Sequence, residues 1–319
     1  MKYFLAVCIP FIILMLFGTY LIKFLKKLNF GQQIRKLGPD SHFHKKGIPT
    51  MGGILIVLAI LITTIFLVPL NNNLIWGLII TAGMGITGFV DDFMKIKKGS
   101  SLGLKARYKL SSQIILSLLL VYYIYNFTNL GEVIIIPFQG QVYIGKWLIP
   151  LIVFTVIGTA NAVNLTDGLD GLAAGITAVV TSTFAVINSS LGLESFGLLG
   201  LIVTGACIGF LWYNSYPAQV FMGDVGSLAL GGIISVLAIF SRTEIFLLII
   251  GGIFVIETIS VMMQVVYFKL TNGKRIFKMT PIHHHFELKG MEENKIVMRF
   301  LIISMFFASL GLIIFYISI

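Results

Sequence analysis

An all-α, polytopic integral membrane protein is predicted by three observations. Charged residues make up 11% of the chain against 57% hydrophobic, whereas a soluble domain carries about 25% charged residues. Ten apolar windows of roughly 20 residues, the length that crosses a bilayer as a helix, recur along the 319 positions. Basic residues are also segregated: twenty of the 23 lysines and arginines fall in three alternate connections. That asymmetry accounts for the net charge of +10 as a topology signal, and no nucleic-acid partner is expected.

The windows are residues 3–23, 51–69, 73–91, 108–127, 147–163, 170–189, 195–213, 225–241, 244–268 and 297–318. The first is too long for a secretory signal and lacks a small-x-small cleavage site, so it is taken as a span. An even count puts both termini on one side. The basic connections are 1–2 (Lys23 to Lys46), 3–4 (Lys95 to Lys109) and 9–10 (Lys269 to Arg299), and only Lys2, Lys146 and Arg242 fall on the other face. The three connections are thereby assigned to the cytoplasm and both termini to the outside of the inner (plasma) membrane. Between spans 4 and 5, β-branched and aromatic runs flank Gln139-Gly140-Gln141, which predicts a small external β-hairpin within Glu132–Lys146. Cys8 and Cys207 both lie inside apolar runs, so no disulfide is expected. No internal repeat or low-complexity linker divides the chain, and residues 1–319 are treated as one domain.

Polar motifs gather at the cytoplasmic ends. Span 3 closes on Asp91 and Asp92. If its helix stops there, the negative end of the dipole opposes two adjacent carboxylates. Lys95, four and three residues on, relieves part of this. A divalent cation shared with an anionic substrate would relieve the rest; the alternative is a solvated pair bridged to Lys95. Acids at membrane depth are costly and usually functional, which favours a metal-dependent phosphoryl-transfer site.

Connection 1–2 carries Lys45, Lys46 and Thr50 among glycines, which suits a phosphate but equally suits a juxtamembrane basic loop that attracts anionic lipid. His42 and His44 read as surface or structural residues. Connection 5–6 holds Asn161, Asn164, Asp167, Leu169 and Asp170 within ten positions. Asp167 or Asp170 could simply cap helix 6; the density of amide and carboxylate groups favours a ligand with hydroxyl and amide edges, such as a nucleoside. In connection 7–8, Asp224 with Ser227 is compatible with an ordinary N-cap, and Phe221 offers either a buried helix entrance or a face for a base. His283, His284 and His285 in connection 9–10 do not share one helix face, so a tridentate metal site is disfavoured and one or two reaching an anion is preferred. Residues Glu287–Lys295 are polar and suit the membrane interface. Glu257 and Gln264, inside span 9, need protein partners or water.

At these residues the chain resembles the bacterial phospho-N-acetylmuramoyl-pentapeptide transferase family. The resemblance rests on the Lys45–Gly53 loop, Asp91-Asp92, Asn161–Gly171, Phe221–Asp224 and Pro281–Glu287, and it covers the whole chain. It implies transfer of phospho-MurNAc-pentapeptide from UDP-MurNAc-pentapeptide to undecaprenyl phosphate, giving UMP and the first lipid-linked peptidoglycan precursor, with Mg²⁺ required. It further implies Asp224 as a metal ligand, Asp91 and Asp92 as groups that activate the lipid phosphate or help hold the metal, and His283 with His284 and His285 near the sugar nucleotide's phosphates or the metal region. Lys45, Thr50, Asn164, Asp167, Leu169, Asp170 and Phe221 fall on the uridine side, Asn161 is a further substrate-binding residue, and Lys95, Lys109 and Gln264 complete the polar lining. The family also suggests a homodimer.

Two rival classes predict different patterns. The GlcNAc-1-phosphate branch of the same superfamily would keep the acids but differ in the histidine loop. A secondary transporter would place its polar residues near the midplane, often in two related halves, and here they crowd one face without a repeat.

Overall fold

The computed structural model describes residues 1–28, 30–31, 45, 47–100 and 102–319; Lys46, His42 and His44 lie outside the described residues. Helices dominate: α1 (Lys2–Lys27), α2 (Gly53–Leu67), α3 (Asn72–Lys98), α4 (Ala106–Phe127), α5 (Leu148–Thr166), α6 (Leu172–Ser190), α7 (Glu194–Asn214), α8 (Gly223–Phe240), α9 (Glu244–Ile250), α10 (Gly252–Leu270), α11 (Ile282–Glu287) and α12 (Glu293–Ser318). Nine helices among the described residues are long and apolar enough to cross a membrane, and α2, at 15 residues, is shorter.

Three predicted boundaries move. Span 3 does not stop at its acids. The helix is started by Asn71, whose Oδ1 accepts from the Leu74 amide at 2.8 Å, and it runs through Asp91 and Asp92 to a left-handed Gly99. The acids therefore sit nearly two turns before the helix end, where the dipole's effect has largely faded. Window 244–268 is broken at Gly251 into α9 and α10. Asn161 and Asn164 belong to the last turns of α5, not to a loop.

α8 is the hub, buried from Val225 to Phe240. With no hydrophobic driving force between helices in lipid, close packing depends on small residues at the crossings. At the α3–α8 crossing a Cβ on Gly88 would run into the Asp224 carbonyl oxygen. This approach brings the acids of α3 beside the first turn of α8.

The predicted hairpin forms: β1 (Val133–Ile136) pairs antiparallel with β2 (Gly140–Tyr143), Val133 opposite Tyr143. It is tied to the α8–α9 connection by Ile135 N to Arg242 O (2.8 Å) and by Arg242 Nη2 to Gly131 O (2.9 Å). Phe138 N donates to Ser318 Oγ at the end of α12 (2.8 Å). The polar motifs lie at the opposite end of the bundle, where α3, α5 and α7 finish and α2, α4, α6, α8 and α12 begin.

Candidate active site

Three carboxylates converge where α3 crosses α8. Ligand-capable oxygens of Asp91, Asp92 and Asp224 all lie within 4.8 Å of one another. Each carboxylate is held by one oxygen and offers the other. Asp91 Oδ1 accepts from the Leu104 amide (2.7 Å), Asp92 Oδ2 from the Val225 amide (3.2 Å), and Asp224 Oδ1 from Asn164 Nδ2 (2.9 Å). The remaining oxygens surround the Lys95 ammonium: Asp91 Oδ2 at 2.7 Å, Asp92 Oδ1 at 3.1 Å and Asp224 Oδ2 at 3.2 Å. Lys95 reaches both acids of its own helix because side chains three and four residues apart share a face.

Lys109, in the first turn of α4, adds a second cation. Its Nζ lies 2.7 Å from Asp224 Oδ2 and donates to Asn164 Oδ1 at 3.2 Å. Asn164 also donates to Ser227 Oγ (2.8 Å). Asp224 and Ser227 are thus committed to the site and do not cap α8, which has no side-chain cap. Two ammonium groups face three carboxylates, a local deficit of one positive charge. An oxygen-only donor set in which each carboxylate turns one oxygen to a shared point, occupied here by the Lys95 ammonium, fits a hard divalent cation such as Mg²⁺, which binds a few carboxylates and keeps positions for phosphate oxygens or water.

The segment between α3 and α4 closes over Asp91. A Cβ on Gly103 would lie 2.8 Å from the Asp91 carbonyl oxygen and would run into its Oδ1. Gly103→Ala is therefore expected to push the Asp91 carboxylate off its partners. Displacements of about 1 Å at a reacting centre cost roughly 10²-fold, so turnover should fall about 10- to 100-fold while the melting temperature in detergent changes little. Steady-state kinetics beside a melting curve check this.

A second cluster lies at the start of α6. Lys45 Nζ donates to Asp170 Oδ1 (2.6 Å) and Glu293 Oε1 (2.7 Å), and it stands 5.9 Å from the Phe221 ring centroid. Desolvation opposes its charge, but Glu293 and Asp170 outweigh it and hold Lys45 above the ordinary lysine value. Asp170 Oδ2 accepts from the Ala218 amide (2.9 Å). Neither Asp167 nor Asp170 caps α6, whose N-cap is the left-handed Gly171 with no side-chain cap. Desolvation, then the neighbouring carboxylates of Asp224, Asp92 and Asp170, push Asp167 up to about 8. Thr50 stands between this cluster and the carboxylates: its Oγ1 and Asp92 Oδ2 both occupy the space that a Cβ on Gly223 would need. Backbone pairing of Phe221 N with Pro49 O (2.8 Å) and of Gly52 N with Phe221 O (2.9 Å) fixes Thr50 and Phe221 together. A cavity of about 630 Å³ opens here, lined in part by Lys45, Asp170, Tyr216, Glu287, Met291 and Glu293.

The histidines divide. His283 is fully buried, with Nδ1 3.0 Å from Glu257 Oε2 and Nε2 against the Gly168 backbone, so neither ring nitrogen faces the cleft as the phosphate-contact reading expected. Its position inside the protein follows from α11 packing on α10, where the buried Glu257 is the partner. His284 Nδ1 lies 3.1 Å from Glu287 Oε2, and His285 Nδ1 accepts from the Lys278 amide at 3.1 Å. Burial, with Lys289 and Lys278 nearby, lowers His285 below the usual histidine value.

Several predicted residues stand apart from the carboxylates. Gln264 takes the amides of Ile276 and Phe277 (both 3.0 Å) and donates to Phe277 O (3.1 Å), which anchors that loop. Asn161 donates to Gln113 Oε1 (2.9 Å), and Leu169 is buried in the core. Glu293, Leu104 and Asn214, whose Oδ1 accepts from Gly171 N at 3.1 Å, were not singled out by motif.

Residues 74–242 match the family model described as glycosyl transferase family 4, and residues 45–57 match phospho-N-acetylmuramoyl-pentapeptide-transferase signature 1. The first match contains Asp91, Asp92, Lys95, Lys109, Asn164 and Asp224, and the second contains Lys45 and Thr50. The chain is 44% identical to a phospho-N-acetylmuramoyl-pentapeptide-transferase of Thermodesulfovibrio yellowstonii over 97% of its own length and 91% of the relative's. Identity is 46% to that of Syntrophus aciditrophicus (94% and 89% covered) and 45% to that of Clostridioides difficile (96% and 95% covered). At such identity over nearly the whole length, with both motif regions inside the matches, the chain belongs to the phospho-N-acetylmuramoyl-pentapeptide transferase family.

Proposed function

We propose that this protein transfers the phospho-MurNAc-pentapeptide group of UDP-MurNAc-pentapeptide to undecaprenyl phosphate, the first membrane step of peptidoglycan synthesis, at the cytoplasmic face of the inner membrane with both termini outside. The observation that carries the reading is the convergence of Asp91, Asp92 and Asp224, one oxygen each turned to a shared point, beside Lys95 and Lys109. In the reaction a lipid-phosphate oxygen forms a bond to the donor's β-phosphorus, the bond from that phosphorus to the bridging oxygen breaks, and UMP leaves with the electron pair. A phosphate monoester with a second pKa of about 6 is mostly dianionic at neutral pH, so little base catalysis is needed.

Asp91, Asp92 and Asp224 would hold Mg²⁺, which supplies neutralisation of the charge that develops on the phosphates. The chain's own groups do the remainder by positioning. Lys95 and Lys109 compensate phosphate oxygens, Asn164 fixes the orientation of Asp224, and Lys45, Asp170, Thr50 and Phe221 receive the nucleotide. Residues 1–319 form one membrane-embedded domain in this reading.

Chelation of divalent ions should lower transfer to background, a fall of at least about 10²-fold, and added Mg²⁺ should restore it. Full-speed turnover in excess chelator would overturn the reading. Donor alone should release no UMP if attack is direct; stoichiometric release without lipid would show a phospho-aspartyl route. Incubation with UDP-GlcNAc in place of the muramoyl donor separates the sister branch.

A further inference from the structure

Glu293, outside both family matches, gathers three distant pieces of chain. Its Oε1 accepts from Lys45 Nζ at 2.7 Å and from the Asp170 backbone amide at 2.6 Å. The side chains of Lys45, Asp170 and Glu293 are 13%, 2% and 9% exposed. Glu293 opens α12, where an acid suits the helix dipole. The dipole alone requires no partner 248 residues away. An ammonium carries three donors; Asp170 and Glu293 take two from Lys45 at short range, which orients the third. The same Glu293 oxygen fixes the Asp170 turn, and through Asp170 Oδ2 the Ala218 amide beside Pro217.

We infer that Glu293 is a positioning residue for the nucleotide end of the donor: it holds the Lys45 ammonium at the Phe221 face and aligns the Asp170 turn without touching the reacting atoms. The inference rests on the reading of Lys45 and Asp170 as the nucleotide side. Without Glu293, Lys45 keeps one anchor and the Asp170 amide loses its acceptor, so donor affinity suffers while the chemistry at Asp91, Asp92 and Asp224 does not.

The test is steady-state kinetics on the full-length protein in detergent, varying UDP-MurNAc-pentapeptide and lipid phosphate separately, with UMP binding measured in parallel. Glu293→Ala should raise the donor KM about 10-fold or more, because it removes the charge-assisted hydrogen bonds from Lys45 and from the Asp170 amide, and weaken UMP binding by a similar factor. Its kcat should stay within about threefold, and the KM for lipid phosphate should not move. Glu293→Gln keeps an oxygen at the same reach and should stay near the parent, whereas Glu293→Asp keeps the charge but shortens the reach and should resemble Ala. That order holds the inference open to refutation even if the alanine variant fails to fold. An unchanged donor KM, a loss confined to kcat, or Asp outperforming Gln would overturn it. Lys45→Ala separates the two levels. If it leaves the donor KM unaltered, this corner is not the nucleotide side. If it raises the donor KM and Glu293→Ala does not, only the positioning role of Glu293 falls.

Discussion

Asp224→Asn should lower turnover about 10³-fold at pH 8, with Asp91→Asn losing roughly 10- to 10²-fold, the range seen when one electrostatic group is removed from a preorganised site. The ranking follows from the partners. Asp224 Oδ2 faces two ammonium groups, Lys109 at 2.7 Å and Lys95 at 3.2 Å, while its Oδ1 accepts from Asn164 at 2.9 Å. An asparagine there must turn its amide donor either toward Lys95 and Lys109 or toward Asn164, so donor meets donor in both settings. At Asp91 the amide would meet only Lys95, because Oδ1 can still accept from Leu104. At pH 8 the lipid phosphate is already ionised, so a general base contributes little and charge placement dominates. Initial rates at saturating donor and lipid phosphate, normalised to folded protein, decide it. Equal losses in the two variants would reject the ranking.

The helices were legible because hydropathy is a strong, local signal. Each predicted window lands on helix, and the hairpin flanking Gln139-Gly140-Gln141 pairs as expected. The errors have physical causes. α3 continues past its acids because Asp91, Asp92 and Lys95 satisfy one another on one face, and because the stop signal, Gly99 after Lys97 and Lys98, lies seven residues further on. The break in window 244–268 was written in Gly251 and Gly252, which apolarity alone overlooks. Asn161 and Asn164 look like loop residues by propensity, yet tertiary hydrogen bonds to Gln113, Asp224 and Ser227 hold them in helix.

At the site, Asp91 and Asp92 stand out in the sequence because acids at membrane depth are rare; Asp224 reads equally well as an N-cap, and only the family resemblance puts it with them. Non-local pairings do not stand out. Nothing within reach of Glu257 in the sequence announces His283, and Glu293 sits in a polar stretch whose composition suits a membrane interface as well as a tether to Lys45. Gln264 shows the converse. As a polar residue in a span it needs a protein partner, and the resemblance places it in the site lining; its bonds to residues 276 and 277 supply the partner and give it local backbone to hold.

Lys95→Met should unmask the site's demand for a cation in stability rather than in rate. The ammonium touches all three carboxylates, which are 6%, 3% and 15% exposed, while Lys95 itself is 29% exposed. Removing one partner of a fully buried pair costs about 3–5 kcal/mol; with Lys95 partly solvated, on the order of 2–3 kcal/mol is expected. A divalent ion at about 100 times its Kd stabilises by roughly 2.7 kcal/mol, enough to offset that loss. In the parent an incoming ion must displace or share with the ammonium, whereas in the variant it meets uncompensated acids. The variant should therefore melt well below the parent in chelator, recover most of the difference in Mg²⁺, and show the larger Mg²⁺-induced rise. An equal rise in both proteins would mean that Lys95 and the ion do not compete for the same three oxygens, and the carboxylate cluster would lose its standing as the metal site.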